Sequence, residues 1–475
     1  MENKSLATKT EVGISFLLSF FFIIFLWGVW SREVFALGIN LALYLTGVTL
    51  FFVYRLKKDK KYVASDLAWI TPLLLLSVSF ALYENPFFKT FSILVFPVML
   101  TLFYGYAWVE RKNEIDWDAF FIIKIVKHVL SFLAFFLTSA ELLFHTVYNR
   151  ESAKNGMGKR VLIGLGLLLL ALLVIVPLLS SADPLFADKL KPFYDAITEI
   201  LSTSIIAKII VFAVLSIGTL TALSAWGRSH QITNNSKEVK LDIVITSIVL
   251  GGIFVIYLLF LWIQVDRLWV GTLPFNFEET ENLIKGGFWQ LLFLSLVNIG
   301  IFFLLYRKTA SLGQKLLGIF SFASLLLLVS SAHRMVLYVT YYGFSYEKFY
   351  ASYAVLFCAI LFLWLISRLF VSKKSNVVKF LTFQFLWMFA LVSIFPVELF
   401  ILKSNMLLVA KPDSKIRLYE MAMISPDILT QIKKYKDEGK LIEEFDWNPW
   451  IEKQEKRIQN KKWYEFTLSA INANR

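Results

Sequence analysis

The sequence predicts an all-α protein, a polytopic transmembrane helix bundle, on three observations. Apolar residues fill 57% of the 475 positions and charged residues only 17%. Mean hydropathy is +0.65. Apolar runs longer than about 18 residues, each sufficient to cross a bilayer, recur from one end of the chain to the other. A soluble enzyme and a disordered chain are excluded on the same ground, since neither tolerates so much apolar surface in water.

The first run, 12 to 30, follows Lys4 and Lys9 as a signal peptide would, but it ends in Trp-Ser-Arg with no small-residue cleavage site. It is therefore expected to remain as the first helix. Further crossings are expected near 34–54, 67–82, 90–109, 161–180, 200–226, 242–265, 287–306, 316–342, 349–370 and 380–402. The stretch 119–148 has a different pattern. Lys124, Lys127, His128, Ser131, Thr138, Glu141 and His145 recur at three- and four-residue steps, with Phe, Ile and Leu between them. That spacing predicts an amphipathic helix lying on the membrane, the alternative being a twelfth crossing with its polar stripe inside the bundle.

Lys and Arg in the short loops set the orientation. With eleven crossings and the N-terminus inside, inner segments hold 23 Lys and Arg and outer short loops hold 7. Letting 119–148 cross would move Arg150, Lys154, Lys159 and Arg160 outside and invert every later loop. The expected arrangement has four parts: four crossings in 1–118, a cytoplasmic interfacial helix and basic loop in 119–160, seven crossings in 161–402, and an extracytoplasmic tail in 403–475.

The tail carries 14 Lys and Arg and 11 Asp and Glu, with Trp447, Trp450, Trp463 and Tyr464 at intervals. One or two helices are expected between Ile416 and Ile432, with Ser425 and Pro426 starting one of them. So few residues make a thin core, so docking on the outer membrane surface is expected.

The formal net charge of +13 is accounted for by inner loops facing anionic lipid, so nucleic acid is not an expected partner. Membrane lipid is. Cys358 is the single cysteine and only four His are present, with no ligand spacing, so neither a disulfide framework nor a metal site is expected. No phosphate loop, dinucleotide fingerprint, zinc-protease motif or nucleophile elbow occurs, and no cofactor is implied.

Polar residues at membrane depth are costly and therefore informative. Lys208 and Arg334 each lie about nine residues from the outer ends of their runs, roughly 13 Å deep. His333 adjoins Arg334, Asn298 lies at similar depth, and Glu398 is shallower. An outward-facing cavity lined by these five would clamp a carboxylate or phosphate through Arg and offer Lys as a point charge. The competing reading pairs Arg334 or Lys208 with Glu398 or Asp183 to hold helices together. Arg334, Tyr338, Tyr341 and Tyr342 share one helix face, Gly343 is placed to end that helix, and Ser345 to cap the next. Asp183 and Asp188 in the outer segment after the fifth crossing are candidate acid, base or cation groups, or simple loop residues.

SSADPLF at 180–186, GFWQLL at 287–292, RMVLYVTYYGFSYEKFYA at 334–351, and NMLLVAKPDSK followed by ISPDIL within 405–429 together resemble a bacterial family of multi-pass membrane proteins known as a domain of unknown function. The resemblance covers roughly 161–475. Members usually carry Gly-Leu-Thr at Gly343, Phe344 and Ser345, and Arg at Lys348. It implies a membrane fold, a bacterial cytoplasmic-membrane location and an extracytoplasmic C-terminal region, and brings no catalytic residue. Three readings of function follow: non-catalytic binding of an anionic solute or lipid headgroup for sensing or transport; a membrane scaffold or regulatory subunit recruiting a membrane protein partner; and a transferase on a lipid-linked substrate with Asp183 or Asp188 as base. The last is disfavoured because the first outer loop offers only Arg32 and Glu33.

Overall fold

A computed structural model describes residues 9–27, 36–58, 62–109, 189, 191–192, 195, 205–227, 243–268, 277–305, 311–368, 377–411, 414–417, 425–441 and 446–473. Among these, every regular element is helical. The chain divides into two compact units, one formed by 1–115, 122–232 and 458–471, the other by 116–121, 233–457 and 472–475.

The first unit contains α1 (Lys9–Phe25), α2 (Ile39–Lys58), α3 (Leu67–Leu82), α4 (Pro86–Val109) and α5 (Ile205–Gly227). α2 packs on α3, and α1 packs on α5. The α1–α5 seam is built from small hydroxyl residues. Ser15 Oγ donates to the Ser216 carbonyl at 2.8 Å, and Ser216 Oγ donates to Ser19 Oγ at 2.9 Å. Small side chains let helix backbones approach, and their hydroxyls bond across the gap. At the start of α1 the fully buried Glu11 carboxylate pairs with Arg55 and with Lys58, the latter at 3.2 Å, which ties it to the end of α2.

The C-terminal segment also belongs to this unit. Ile39 N–H donates to the Phe466 carbonyl at 3.2 Å, so the segment lies over the start of α2. The approach requires Gly38, where a Cβ would run into the carbonyl oxygens of Glu465 and Phe466. Glu84, between α3 and α4, is fully buried and accepts from Lys461 Nζ at 2.9 Å, Lys89 Nζ at 3.3 Å and Thr467 Oγ1 at 2.6 Å. Lys89 also donates to the Leu37 carbonyl.

The second unit contains α6 (Ile243–Leu268), α7 (Phe277–Leu305), α8 (Ser311–Tyr342), α9 (Tyr346–Ser367), α10 (Val377–Ile394) and α11 (Val397–Leu408), followed by α12 (Leu429–Asp437). The remaining described helices are α13 (Asn448–Gln459) and α14 (Leu468–Ala473). α8 is the hub, packing against α6, α7 and α9. Phe288, Phe302, Phe320, Leu327 and Phe362 are buried where these helices meet. α12 buries Ile432 and Leu429 and turns its lysines outward, Lys433 reaching Glu455 at 2.5 Å.

Six described helical segments are long and apolar enough to cross a membrane: Ile39–Lys58, Ala64–Leu82, Pro86–Phe103, Gly313–Tyr342, Tyr346–Ser367 and Val377–Ile394. Shorter apolar helices, Thr10–Phe25, Ala207–Thr221, Val244–Phe260 and Phe288–Phe302, coincide with four further expected crossings. The expected crossing 161–180 and the amphipathic stretch 119–148 lie outside the described residues. One expectation is corrected. The run 380–402 is not one helix but two, because Pro396 lacks the amide that would bond back to Val392 and its ring crowds that carbonyl. α10 stops at Ile394, and α11 starts anew with Glu398 in its first turn.

Candidate functional site

The helical hairpin between α8 and α9 is organised by its backbone needs. α8 ends at Gly343, whose φ of 68° is the left-handed conformation of a helix C-cap. Its N–H donates to the Val339 carbonyl at 2.8 Å. A Cβ here would stand 2.7 Å from Asn405 Oδ1 and 3.1 Å from Ile416, so space as well as φ calls for glycine. Ser345 caps α9, its side chain accepting from Lys348 N–H at 3.4 Å.

Between the two caps, Phe344 has backbone groups that neither helix can satisfy. Asn405 of α11 supplies both partners: Phe344 N–H donates to its Oδ1 at 2.6 Å, and its Nδ2 donates to the Phe344 carbonyl at 2.9 Å. Lys348 folds back onto the end of α8, donating to the carbonyls of Tyr342 at 3.2 Å and Gly343 at 2.9 Å. Its ammonium lies 4.4 Å from the Tyr338 ring centroid. A cation at a helix C-terminus over an aromatic face is favoured twice.

The tail closes this node. Glu398, 2% exposed, accepts from Tyr346 Oη, from Ser425 N–H at 3.2 Å and from Ser425 Oγ. Ser425 in turn accepts from Asp427 N–H at 3.2 Å and so starts the 3-10 turn Pro426–Ile428 that leads into α12. Lys415 N–H donates to the Tyr341 carbonyl at 2.9 Å. The segments 334–351, 405–411, 414–415 and 425–429 thus meet at one point. Phe288 and Trp289 of the GFWQLL segment join them across a cavity of about 10 Å³ shared with Met335, Tyr338, Glu347 and Lys348. That volume is at the lower limit for a single water.

A larger apolar groove of about 340 Å³ runs beside the hairpin, lined by Met335, Val339 and Thr340 of α8, Phe344, Val355 of α9 and Leu408 of α11. Its hydroxyls are turned back into their own helices. Thr340 donates to the Val336 carbonyl and Ser352 to the Lys348 carbonyl, both at 2.8 Å. The surface offered is therefore almost wholly apolar. Exposed Lys411 follows groove-lining Leu408 in the chain, its N–H bonding to the Leu408 carbonyl at 3.0 Å, and exposed Lys415 and Arg417 come shortly after it in sequence.

The sequence-predicted polar residues disperse across this fold. Glu398 reaches the node. Arg334 is buried on α8, one turn before Tyr338, with half-buried His333 beside it. His333 stands three residues before Val336 and seven before Thr340, both of which line the groove. Asn298 serves elsewhere. It accepts from Tyr257 Oη at 2.6 Å and donates to Ser324 Oγ at 2.9 Å, linking α6, α7 and α8 in the core. Lys208 is in the first unit, 5.9 Å from the Trp27 ring centroid. Asp183 and Asp188 lie outside the described residues. Among those described, no group of three or more His, Cys, Asp or Glu is placed to hold a metal.

Asn405, Lys348, Ser425 and Tyr346 were not singled out as site residues, although all four stand within the segments that carried the family resemblance. Lys348, five residues after the glycine that ends α8, is the one of the four that a local signal could have found; Asn405 is 61 residues from Phe344 and offered none. No curated protein and no solved structure matches the chain. The match to the family described as a domain of unknown function, DUF4153, begins at residue 70 and ends at 435, earlier at both ends than the resemblance suggested, and the chain belongs to that family.

Proposed function

We propose that this integral membrane protein binds an anionic phospholipid without chemically altering it, as a sensor or carrier, with an acyl chain in the groove between α8 and α9. The observation that carries this reading is an almost wholly apolar groove of about 340 Å³ whose lining residue Leu408 is followed three residues on by exposed Lys411. The volume falls in the range of small-ligand sites. Apolar lining suits methylene groups, and a lysine that follows the lining in the chain would suit a phosphate. His333 and Arg334 are proposed as accessory groups on α8. Lys208 belongs to the other unit and is not needed in this reading.

The proposed setting is a bacterial cytoplasmic membrane, with the N-terminus inside, eleven crossings, and the hairpin and tail outside. The excess of basic residues in the inner loops supports that orientation. A second reading, a scaffold that presents its tail to a membrane protein partner, draws support from Glu398, Asn405 and Lys348, whose polar atoms bind the chain itself.

Native mass spectrometry of gently extracted protein tests the first reading. Retained anionic phospholipid, lost in Val339→Trp and reduced in a Lys411→Glu/Lys415→Glu double variant, is the expected result. Equal retention in all three proteins, or none in wild type together with a stoichiometric protein partner, would favour the scaffold.

A further inference from the structure

We propose that the C-terminal strap, residues 458–471, is a lipid-facing anchor whose Trp463, Leu468 and Ile471 enter the boundary between headgroups and acyl chains. Polar groups of the strap hold it to the unit. Lys461 and Thr467 are bound to Glu84, Phe466 to Ile39, and Ala470 is buried. Its opposite side is apolar and open: Trp463 is 70% exposed, Leu468 51% and Ile471 37%. A short helix that buries alanine and exposes leucine and isoleucine has the reverse of the pattern water would select.

The place of this face identifies what covers it. The rings of Trp463 and Tyr464 pack edge-on against Phe25, the last residue of α1, at 6.0 and 5.3 Å between centroids. Leu17, Phe20 and Ile24 are exposed along one face of that apolar helix. Trp463 therefore lies beside the end of a surface whose natural solvent is lipid. Exposed Lys462 is next in sequence, with its ammonium 5.7 Å from the Tyr464 ring centroid, a charge suited to anionic headgroups. Tryptophan with flanking lysine at such a level is the arrangement of an interfacial anchor. The occupant is the bilayer itself.

The test uses the full chain in vesicles of phosphatidylethanolamine and phosphatidylglycerol. Cys358, which is buried, is first replaced by Cys358→Ser; then Leu468→Cys, Ile471→Cys or Lys453→Cys is introduced singly and spin-labelled. At 468 and 471, collisions with oxygen should exceed those with a water-soluble nickel chelate, and the order should reverse at the exposed α13 position 453. Labels at 468 and 471 that behave like the one at 453 would overturn the proposal. Exclusion of both reagents would mean that protein covers the face, and would overturn it equally. Should either substitution disturb the fold, Trp463→Cys provides a third position, read the same way.

Discussion

Asn405 acts toward Phe344 as a neighbouring strand would, giving an acceptor to its N–H at 2.6 Å and a donor to its carbonyl at 2.9 Å. A turn residue between two long helices has no internal partner for either group. The side chain of a third helix supplies both, so α11 and the tail behind it are held to the hairpin.

Asn405→Leu should therefore leave two backbone groups unpaired in a half-buried site. The expected loss is about 1–3 kcal/mol for each group. Asn405→Asp keeps the acceptor and loses the donor, and should fall between Leu and wild type. Thermal unfolding in detergent reads the order, which fails if the three proteins melt together.

Gly343→Ala carries a left-handed penalty of about 1–2 kcal/mol. To this is added a contact at 2.7 Å with Asn405 Oδ1. Truncating Asn405 removes that contact. The double variant Gly343→Ala/Asn405→Ala should lose less stability than the two single variants together, and strict additivity would show that the contact is not made.

Much of this node was legible in the sequence, and the reasons separate cleanly. Gly343 as a helix stop, Ser345 as a cap and Ser425–Pro426 as a helix start are local devices, read from residue type and position alone. The break at Pro396 was equally local, but a continuous apolar run concealed it. Asn405 with Phe344, and Lys461 with Glu84 across 377 positions, were not legible, because hydrophobic periodicity reports which residues are buried and not which helices meet. Depth reckoning has the same limit. It placed Asn298 and Arg334 at similar depth without showing which helices they face; Asn298 bonds Tyr257 and Ser324, the latter ten residues before Arg334 on α8.

Glu84→Gln should release the strap. The side chains of Lys89 and Lys461 are each only 4% exposed, and removing the charge between them breaks a buried pair at a cost of about 3–5 kcal/mol. Limited proteolysis should cut the variant near its C-terminus well before wild type. Equal cutting rates would mean that the ion cluster does not hold the strap.

Orientation is testable at the two ends of α2. In a Cys358→Ser background, Asn460→Cys stands on the strap side, and Lys57→Cys at the opposite end of the helix. A membrane-impermeant maleimide added to intact spheroplasts should label position 460 at once and position 57 only after permeabilisation. The reverse order would invert the topology.

The most direct test of lipid binding in the groove is photo-crosslinking of the full-length protein in membranes doped with an anionic phospholipid carrying a diazirine on its acyl chain. The account predicts adducts concentrated on the 332–355 segment around Val336, Val339 and Val355, diminished several-fold by Val339→Trp. Adducts spread evenly over the exposed faces of α6 and α7, and indifferent to that substitution, would contradict it.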